Sequence, residues 1–153
     1  MTMQSKAAAT ISTLLLIAPG AVAQSAPQVG DVHIIKNCNS YTGQPGSSCT
    51  ITSSNLPQIP PNSLVLYDQA IGIPAGLLDS NVVLDAGPGS GNRALGRCTL
   101  DPKTAKGLCT FSDGTEQLAG FAARVVVTYL GNGYWAWEGK YSLTAQGSLL
   151  AQQ

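Results

Sequence analysis

Between Leu95 and Leu143 the chain reads Cys98-Thr-Leu-Asp-Pro-Lys-Thr-Ala-Lys-Gly-Leu-Cys109, then Phe111-Ser-Asp-Gly-Thr-Glu-Gln-Leu-Ala-Gly-Phe121, Arg124-Val-Val-Val-Thr-Tyr129 and Gly133-Tyr-Trp-Ala-Trp-Glu-Gly-Lys-Tyr141. Short runs of β-branched and aromatic residues alternate here with Gly, Asp and Pro. Such runs are typical of antiparallel strands joined by turns, and helical periodicity is nearly absent. The stretch therefore predicts antiparallel β-structure tied by cysteines.

Similar runs occur at regular spacing along the rest of the chain, and they predict eight strands. The predicted strands cover residues 31–36, 48–53, 63–71, 81–86, 92–100, 107–112, 117–129 and 133–144. Evenly spaced short strands indicate an all-β sandwich or barrel. Because eight strands allow a sheet to close around side chains or one small ligand, we predict a single eight-stranded antiparallel β-barrel stapled by two disulfides.

The first residues have the three parts of a secretory signal peptide. Lys6 supplies the positive charge, residues 7–17 are apolar, and the small residues Ala21-Val-Ala23 precede the expected cleavage point. The apolar run is too short to span a bilayer. We expect residues 1–23 to be removed and 24–153 to form one secreted or periplasmic β-barrel domain.

Charged residues are few and balanced. The chain has 8 Lys and Arg against 8 Asp and Glu, and only 10% of its residues are charged. A surface without basic runs is a poor match for nucleic acid or for anionic membranes. We therefore expect neither a nucleic-acid partner nor a membrane partner.

Four cysteines in an exported chain predict two disulfides. Three pairings are open, and equal spacing favours Cys38 with Cys49 and Cys98 with Cys109, since each interval looks like two strand ends joined by a loop. Each closure would stabilise the fold by about 3 kcal/mol. No C-x-x-C occurs and His33 is the single histidine, so we expect no metal site and no other cofactor.

Asp68 is the candidate catalytic acid or base. In the run 63–71, period two places Leu64, Leu66 and Asp68 on one face and Tyr67 on the other. If the Asp68 face lines the barrel, burial would favour the protonated carboxyl and suit it to proton transfer. A strand-end position or a satisfied ion pair is the alternative. An inward Tyr67 would instead hydrogen-bond a ligand carbonyl or pack in the core.

The last predicted strand places two tryptophans on one face. Trp135 and Trp137 are candidate walls for a flat hydrophobic ligand, and core packing is the alternative. The opposite face carries Glu138 and Lys140, which we interpret as a solvated pair.

Arg124 shares a predicted strand face with apolar residues, and Arg97 lies in another strand. An arginine on an apolar face needs a carboxylate, for which Asp68, Asp85 or Glu138 could serve. Such a pair would be either a structural clamp or a binding site for a ligand carboxylate, so Arg124 is a candidate ligand-binding residue.

The segment Gly114-Thr-Glu-Gln-Leu-Ala-Gly120 resembles the G-T-G-x-F-x-G hairpin of the allene oxide cyclase and dirigent superfamily of calycin-like barrels, with Glu116 and Leu118 replacing the usual Gly and Phe. The match covers roughly the last third of the chain after residue 23 and looks most like exported bacterial members. The resemblance implies an eight-stranded barrel, often trimeric, with an apolar cavity. Plant relatives steer cyclisation or coupling of small molecules there without metal or redox cofactor. Their catalytic residues match no position here.

The leading functional hypothesis is an exported barrel that binds a small hydrophobic molecule in its cavity. Isomerisation, cyclisation or orientation of that molecule without a cofactor would extend this role, and whether the chain is an enzyme stays open. The alternative is a non-catalytic structural or protein-interaction module with a filled core, whose apolar loop 72–78 contacts a partner. A disulfide-stabilised inhibitor has only the cysteines in its favour.

Overall fold

The computed structural model describes residues 26–72 and 75–144 as a closed antiparallel barrel. Each strand pairs with its neighbour in sequence, and β1 also pairs with β8, which closes the sheet. The fold class predicted from sequence is confirmed, and the predicted signal peptide lies outside the described residues. The strands are β1 (Gln28–Asn37), β2 (Ser48–Ser54), β3 (Leu64–Tyr67), β4 (Leu78–Asp85), β5 (Arg93–Asp101), β6 (Lys106–Gly114), β7 (Phe121–Gly131) and β8 (Tyr134–Leu143).

The inward face of each long strand follows the two-residue period of the side chains. In β7, Phe121, Ala123, Val125 and Val127 are buried, whereas the residues between them are exposed. Closure pairs the backbone of every strand on both sides and leaves no sheet edge open. The core is therefore the barrel interior itself.

One end of the barrel is filled by apolar side chains from the connections. Leu56 and Ile59 are buried there from the β2–β3 connection, and Leu118 is buried from a single 3-10 turn, Glu116–Leu118. We call this the capped end. The predicted strand 117–129 was wrong in its first residues, because the 3-10 turn precedes β7 and the strand begins only at Phe121.

Two glycines of the hairpin that resembles the superfamily motif have distinct backbone roles. A Cβ atom at Gly114 would overlap the carbonyl oxygen of Leu118, so glycine permits this close approach. Gly120 has φ +73, a left-handed conformation that side chains disfavour. Gly114 therefore permits close backbone packing against the 3-10 turn.

Strand β3 is shorter than the predicted run 63–71. It ends at Tyr67 because the buried Ser80 hydroxyl accepts hydrogen bonds from the backbone N–H groups of Asp68 (3.0 Å) and Gln69 (3.1 Å). These bonds turn the chain away from the sheet, and a period-two pattern cannot reveal them.

Both predicted disulfides are confirmed. Cys98 and Cys109 lie directly opposite each other on β5 and β6, with Cα atoms 4.1 Å apart. Cys38 follows β1 and bonds to Cys49 of β2, with Cα atoms 4.4 Å apart. All four cysteines face the interior at the end of the barrel opposite the capped end.

Candidate functional site

The barrel interior contains a cavity of about 120 Å³ at the end opposite the cap. We call this the cavity end. All eight strands contribute to the wall, so the cavity results from barrel closure and not from a local motif. The wall is formed by Lys36, Cys38, Tyr41, Cys49, Tyr67, Ile71, Leu78, Cys98, Thr99, Leu100, Cys109, Val127 and Trp135.

Two connections meet at the cavity end. The backbone N–H of Ile71 donates to the carbonyl oxygen of Gly43 at 2.9 Å, which ties the β3–β4 connection to the β1–β2 connection. Tyr41 and Ile71 bring side chains from these connections to the cavity wall. Ile71 is 39% exposed, so the wall reaches solvent on this side.

Lys36 is the one amine in the cavity wall. It continues the inward face of β1 after Val32 and Ile34, and only 3% of it is exposed. Its Nζ donates a hydrogen bond to the Tyr67 hydroxyl. The same Nζ lies 5.1 Å from the centroid of the Tyr67 ring and 4.9 Å from that of Trp137.

Burial lowers the pKa of Lys36 to about 7, because the ammonium form loses its hydration in the barrel interior. No Asp or Glu side chain belongs to the cavity wall, so no carboxylate there compensates the charge. Cation–π contacts with the Tyr67 and Trp137 rings replace only part of the hydration energy that the ammonium loses. Burial therefore favours the uncharged amine of Lys36.

Two tyrosine hydroxyls accompany this amine. Burial raises the pKa of Tyr67, so it stays a protonated phenol beside Lys36. The ring of Tyr41 lies 5.0 Å from that of Tyr67, measured between centroids. The Tyr41 hydroxyl is buried and has no hydrogen-bond partner among the described residues. Because buried polar atoms are rarely left unpaired, a ligand oxygen would complete the site.

The two tryptophans share the inward face of β8, as predicted, but they differ in depth. Trp135 lines the cavity and packs against Tyr129, with ring centroids 4.7 Å apart. Trp137 is fully buried towards the barrel centre and packs against Phe111, with centroids 5.2 Å apart. Trp135 thus forms part of the cavity wall, whereas the Trp137 ring lies deeper in the barrel and contacts the Lys36 amine.

The structure places two predicted site residues away from the cavity. Asp68 is exposed just beyond the end of β3, and the opposite face, with Val65 and Tyr67, points inward. The condition for a catalytic Asp68, an inward-facing carboxylate, is therefore not met, and the structure shows the strand-end position that was the alternative. Arg124 is exposed on the outer face of β7, opposite Lys140 of β8. No ion pair involves Arg124 within residues 26–72 and 75–144.

The other arginines of the strands find carboxylates on the neighbouring strand β4. Arg97 pairs with Asp79 at 2.8 Å, a residue that had not been named as a partner. Arg93 pairs with Asp85 at 3.5 Å. These contacts join adjacent strands away from the cavity wall, and the Asp85 side chain is largely buried.

The predicted Glu138–Lys140 pair is also wrong, because both side chains turn across to β1. Glu138 hydrogen-bonds to the exposed His33, and Lys140 donates to Asp31. The bond from Lys140 lowers the pKa of the Asp31 carboxyl. The pairing follows the β1–β8 register, in which His33 lies opposite Glu138 and Asp31 opposite Lys140.

Lys36 and Tyr41 are the residues that sequence reasoning missed. A signal for Lys36 was present: the period that places Val32 and Ile34 on one face also places Lys36 there. A lysine near the end of a strand usually reaches solvent, so its type argued against burial. Tyr41 lies in a loop, where no periodicity indicates the direction of a side chain.

Three comparisons, with protein-family models, with curated proteins and with solved structures, find no match to this chain. In the described part of the chain, no three His, Cys, Asp or Glu side chains are grouped so that they could hold a metal ion. In the same residues, no helix is long and apolar enough to cross a membrane.

Proposed function

We propose that this protein binds a small hydrophobic molecule with one polar atom in the cavity at the cavity end. The observation that carries the proposal is an apolar cavity with an unpartnered buried hydroxyl, that of Tyr41. Ligand sites in proteins combine an apolar wall with a few convergent polar groups. Here the polar groups are the Lys36 amine, which bonds to the Tyr67 hydroxyl, and the hydroxyl of Tyr41, whose ring packs against the Tyr67 ring.

The cavity volume limits the ligand to a single ring or a short chain. An engineered apolar cavity of about 150 Å³ takes up benzene, and drug-sized ligands need about 300 Å³ or more. The 120 Å³ cavity is close to the first case. Trp135 and the two disulfides give it polarizable walls that suit an aromatic or aliphatic group.

We assign this binding to a secreted or periplasmic protein. The signal-peptide pattern of residues 1–23 supports this, and so do the two disulfides, which persist in oxidising compartments. The resemblance of residues 114–120 to the dirigent and allene oxide cyclase hairpin supports the same ligand class. Steering of a cofactor-free cyclisation or coupling would extend the binding role.

A titration with benzyl alcohol tests the proposal, because this molecule combines one ring with one hydroxyl. Binding should change the fluorescence of Trp135 and release or absorb heat in calorimetry. Val127 lines the cavity and its neighbour Val126 is 51% exposed on the outer face of the same strand. Val127→Phe should fill the cavity and abolish binding, whereas Val126→Phe should leave it unchanged.

A smaller change separates ligand contact from general packing. Tyr41→Phe should weaken benzyl alcohol binding by about fivefold, because it removes one net hydrogen bond of about 1 kcal/mol. Saturable binding that is lost in Val127→Phe would support the cavity site. If benzyl alcohol does not bind the wild-type protein, or binds Val127→Phe equally well, the proposal is wrong.

A second candidate, a protein-interaction surface, is favoured by exposed apolar residues beside the cavity. Ile71 is 39% exposed and Leu77 is 41% exposed. Leu78 is buried and is therefore unsuitable for testing contact. Ile71→Asp with Leu77→Asp should change the assembly state in sizing chromatography if this surface mediates association, and an unchanged elution volume would refute it.

A further inference from the structure

We propose that the Lys36 amine captures small aldehydes as a covalent imine inside the cavity, with the Tyr67 hydroxyl transferring the protons. This inference rests on the proposed binding function and specifies the ligand as a carbonyl compound. The observation that carries the inference is that three polar residues line one apolar cavity. These are Lys36, Tyr67, whose hydroxyl bonds to the Lys36 amine, and Tyr41, whose hydroxyl has no partner among the described residues.

Lys36 is poorly explained as a structural residue. A buried amine loses stability relative to an apolar side chain of the same size unless a carboxylate compensates it. The two titratable groups that share the cavity wall with it are Tyr41 and Tyr67, and the cystines there do not titrate. A methionine at this position would pack with the same aromatic faces and need no partner. The hydrogen bond that a methionine would lose is the one from Nζ to the Tyr67 hydroxyl, which is itself part of the proposed reaction site.

The surroundings of Lys36 are those of a nucleophilic amine. An apolar pocket favours the uncharged form of lysine, which carries the lone pair needed for attack on a carbonyl carbon. Burial lowers the Lys36 pKa to about 7 and thereby supplies this form near neutrality. Lys103 and Lys140, in contrast, are exposed on the barrel surface and lie outside the cavity wall.

The hydroxyls complete the proton balance of imine formation. The Nζ lone pair forms a bond to the carbonyl carbon, the carbonyl π pair moves to oxygen, and that oxygen takes the Tyr67 phenol proton. The nitrogen then returns one of its two protons to Tyr67, which leaves a neutral carbinolamine. Its hydroxyl and the remaining N–H proton leave as water while the nitrogen lone pair forms the C=N bond.

An uncharged Lys36 amine suits an aldehyde as its reaction partner. A ligand carboxylate would pair with Lys36 as an ammonium ion, whose nitrogen has no lone pair for attack, whereas a neutral carbonyl oxygen needs only a hydrogen-bond donor and leaves the amine uncharged. The Tyr41 hydroxyl can donate that bond and thereby gain the partner that it lacks. The volume of about 120 Å³ accommodates one ring or a short aliphatic chain behind the carbonyl group.

Reductive trapping of the oxidised wild-type protein tests the inference. The protein is incubated with benzaldehyde and cyanoborohydride at about pH 7, which converts an imine to a stable secondary amine. Intact-mass spectrometry should show one added benzyl group, and peptide mapping should place it on Lys36. We expect Lys36 to react about tenfold or more faster than the exposed Lys103, since burial lowers the Lys36 pKa to about 7 and the cavity holds the aldehyde beside the amine.

Two variants and a pH series separate capture from fortuitous labelling. Lys36→Met should lose the rapid single adduct, and Lys103→Met should keep it. Tyr67→Phe should slow the adduct at Lys36 by about tenfold, because it removes the proton-transfer group. The rate of adduct formation at Lys36 should rise towards pH 7 and then level off, because the uncharged fraction of the Lys36 amine follows the same course.

Parallel titration with benzyl alcohol, which cannot form an imine, distinguishes the two proposals. A fast adduct on Lys36 supports capture. Benzyl alcohol binding with labelling at Lys36 no faster than at Lys103 overturns the imine inference and leaves the proposed binding function intact. Absence of both binding and fast labelling overturns both proposals.

Discussion

At the scale of single residues, the buried Lys36 makes the free energy of unfolding depend on pH. In the unfolded chain a lysine has a pKa of about 10.4, and in the barrel burial lowers it to about 7. Between these values the unfolded chain binds a proton that the folded chain does not hold, so the free energy of unfolding rises with pH. Below about pH 7 both states carry the proton and this dependence ends.

We predict that unfolding free energy increases between about pH 7 and pH 9 by up to ~1.4 kcal/mol per pH unit. Lys36→Met should abolish this slope and stabilise the protein at neutral pH, whereas Lys106→Met, at an exposed position, should retain the slope. Tyr41 and Tyr67, whose pKa values burial raises, oppose the trend only above about pH 10.

Urea denaturation at several pH values in this range measures the effect. Described cysteines are all paired, so thiol exchange has no free thiol to start from in that part of the chain. Equal slopes for wild type and Lys36→Met would show that the buried Lys36 amine does not cause the pH dependence of the unfolding free energy.

At the scale of elements, strand β3 decides the shape of the cavity end. Its four residues bring Val65 and Tyr67 inward, and the next residues leave the sheet at once. Ser80 of β4 causes this exit, because its hydroxyl is fully buried and accepts bonds from two successive backbone N–H groups. The exit carries Ile71 back over the cavity, where it meets the β1–β2 connection.

We therefore predict that Ser80→Ala destabilises the protein by about 1–3 kcal/mol, since it leaves the Gln69 N–H without its acceptor in the interior. Ser112→Ala, at an exposed position of β6, should change stability by less than about 0.5 kcal/mol. Urea denaturation compares the two variants. Similar values for both would show that the β3 exit does not depend on this hydroxyl.

At the scale of the whole molecule, closure and the disulfides act on the same end of the barrel. Both disulfides link neighbouring strands and face the cavity, with a sequence separation of 11 in each case. The capped end is held by packed side chains such as Leu118 and Ile59. The cavity end has less apolar packing, so covalent links replace side chains that would otherwise fill the cavity.

Equal loop lengths predict equal contributions of about 3 kcal/mol from each disulfide, or about 6 kcal/mol together. Because domains of this size are stable by about 5–15 kcal/mol, loss of both should leave the fold marginal. Replacement of Cys98 and Cys109 by Ala, or of Cys38 and Cys49 by Ala, should each lower the urea midpoint. Unchanged midpoints would show that the two disulfides do not stabilise the fold.

The local pattern of the chain was sufficient for the barrel and insufficient for the site. Strand number, turns and the pairing of Cys98 with Cys109 follow from alternation and spacing among near neighbours, and these were predicted correctly. Which face of a strand points inward depends on register, and a shift of one residue reverses it. That is why the sequence left open whether Asp68 or Tyr67 faces inward, and the tertiary structure places Tyr67 in the interior.

The meeting of Lys36, Tyr67 and Tyr41 depends on closure of the barrel. Lys36 and Tyr67 are 31 residues apart, and Tyr41 comes from a connection without periodicity. The sequence contains the lysine on an inward-facing position of β1, but its loss of water depends on the other seven strands and the loops around it. Burial, which lowers the pKa of Lys36, is a property of the assembled barrel and not of any local stretch of sequence.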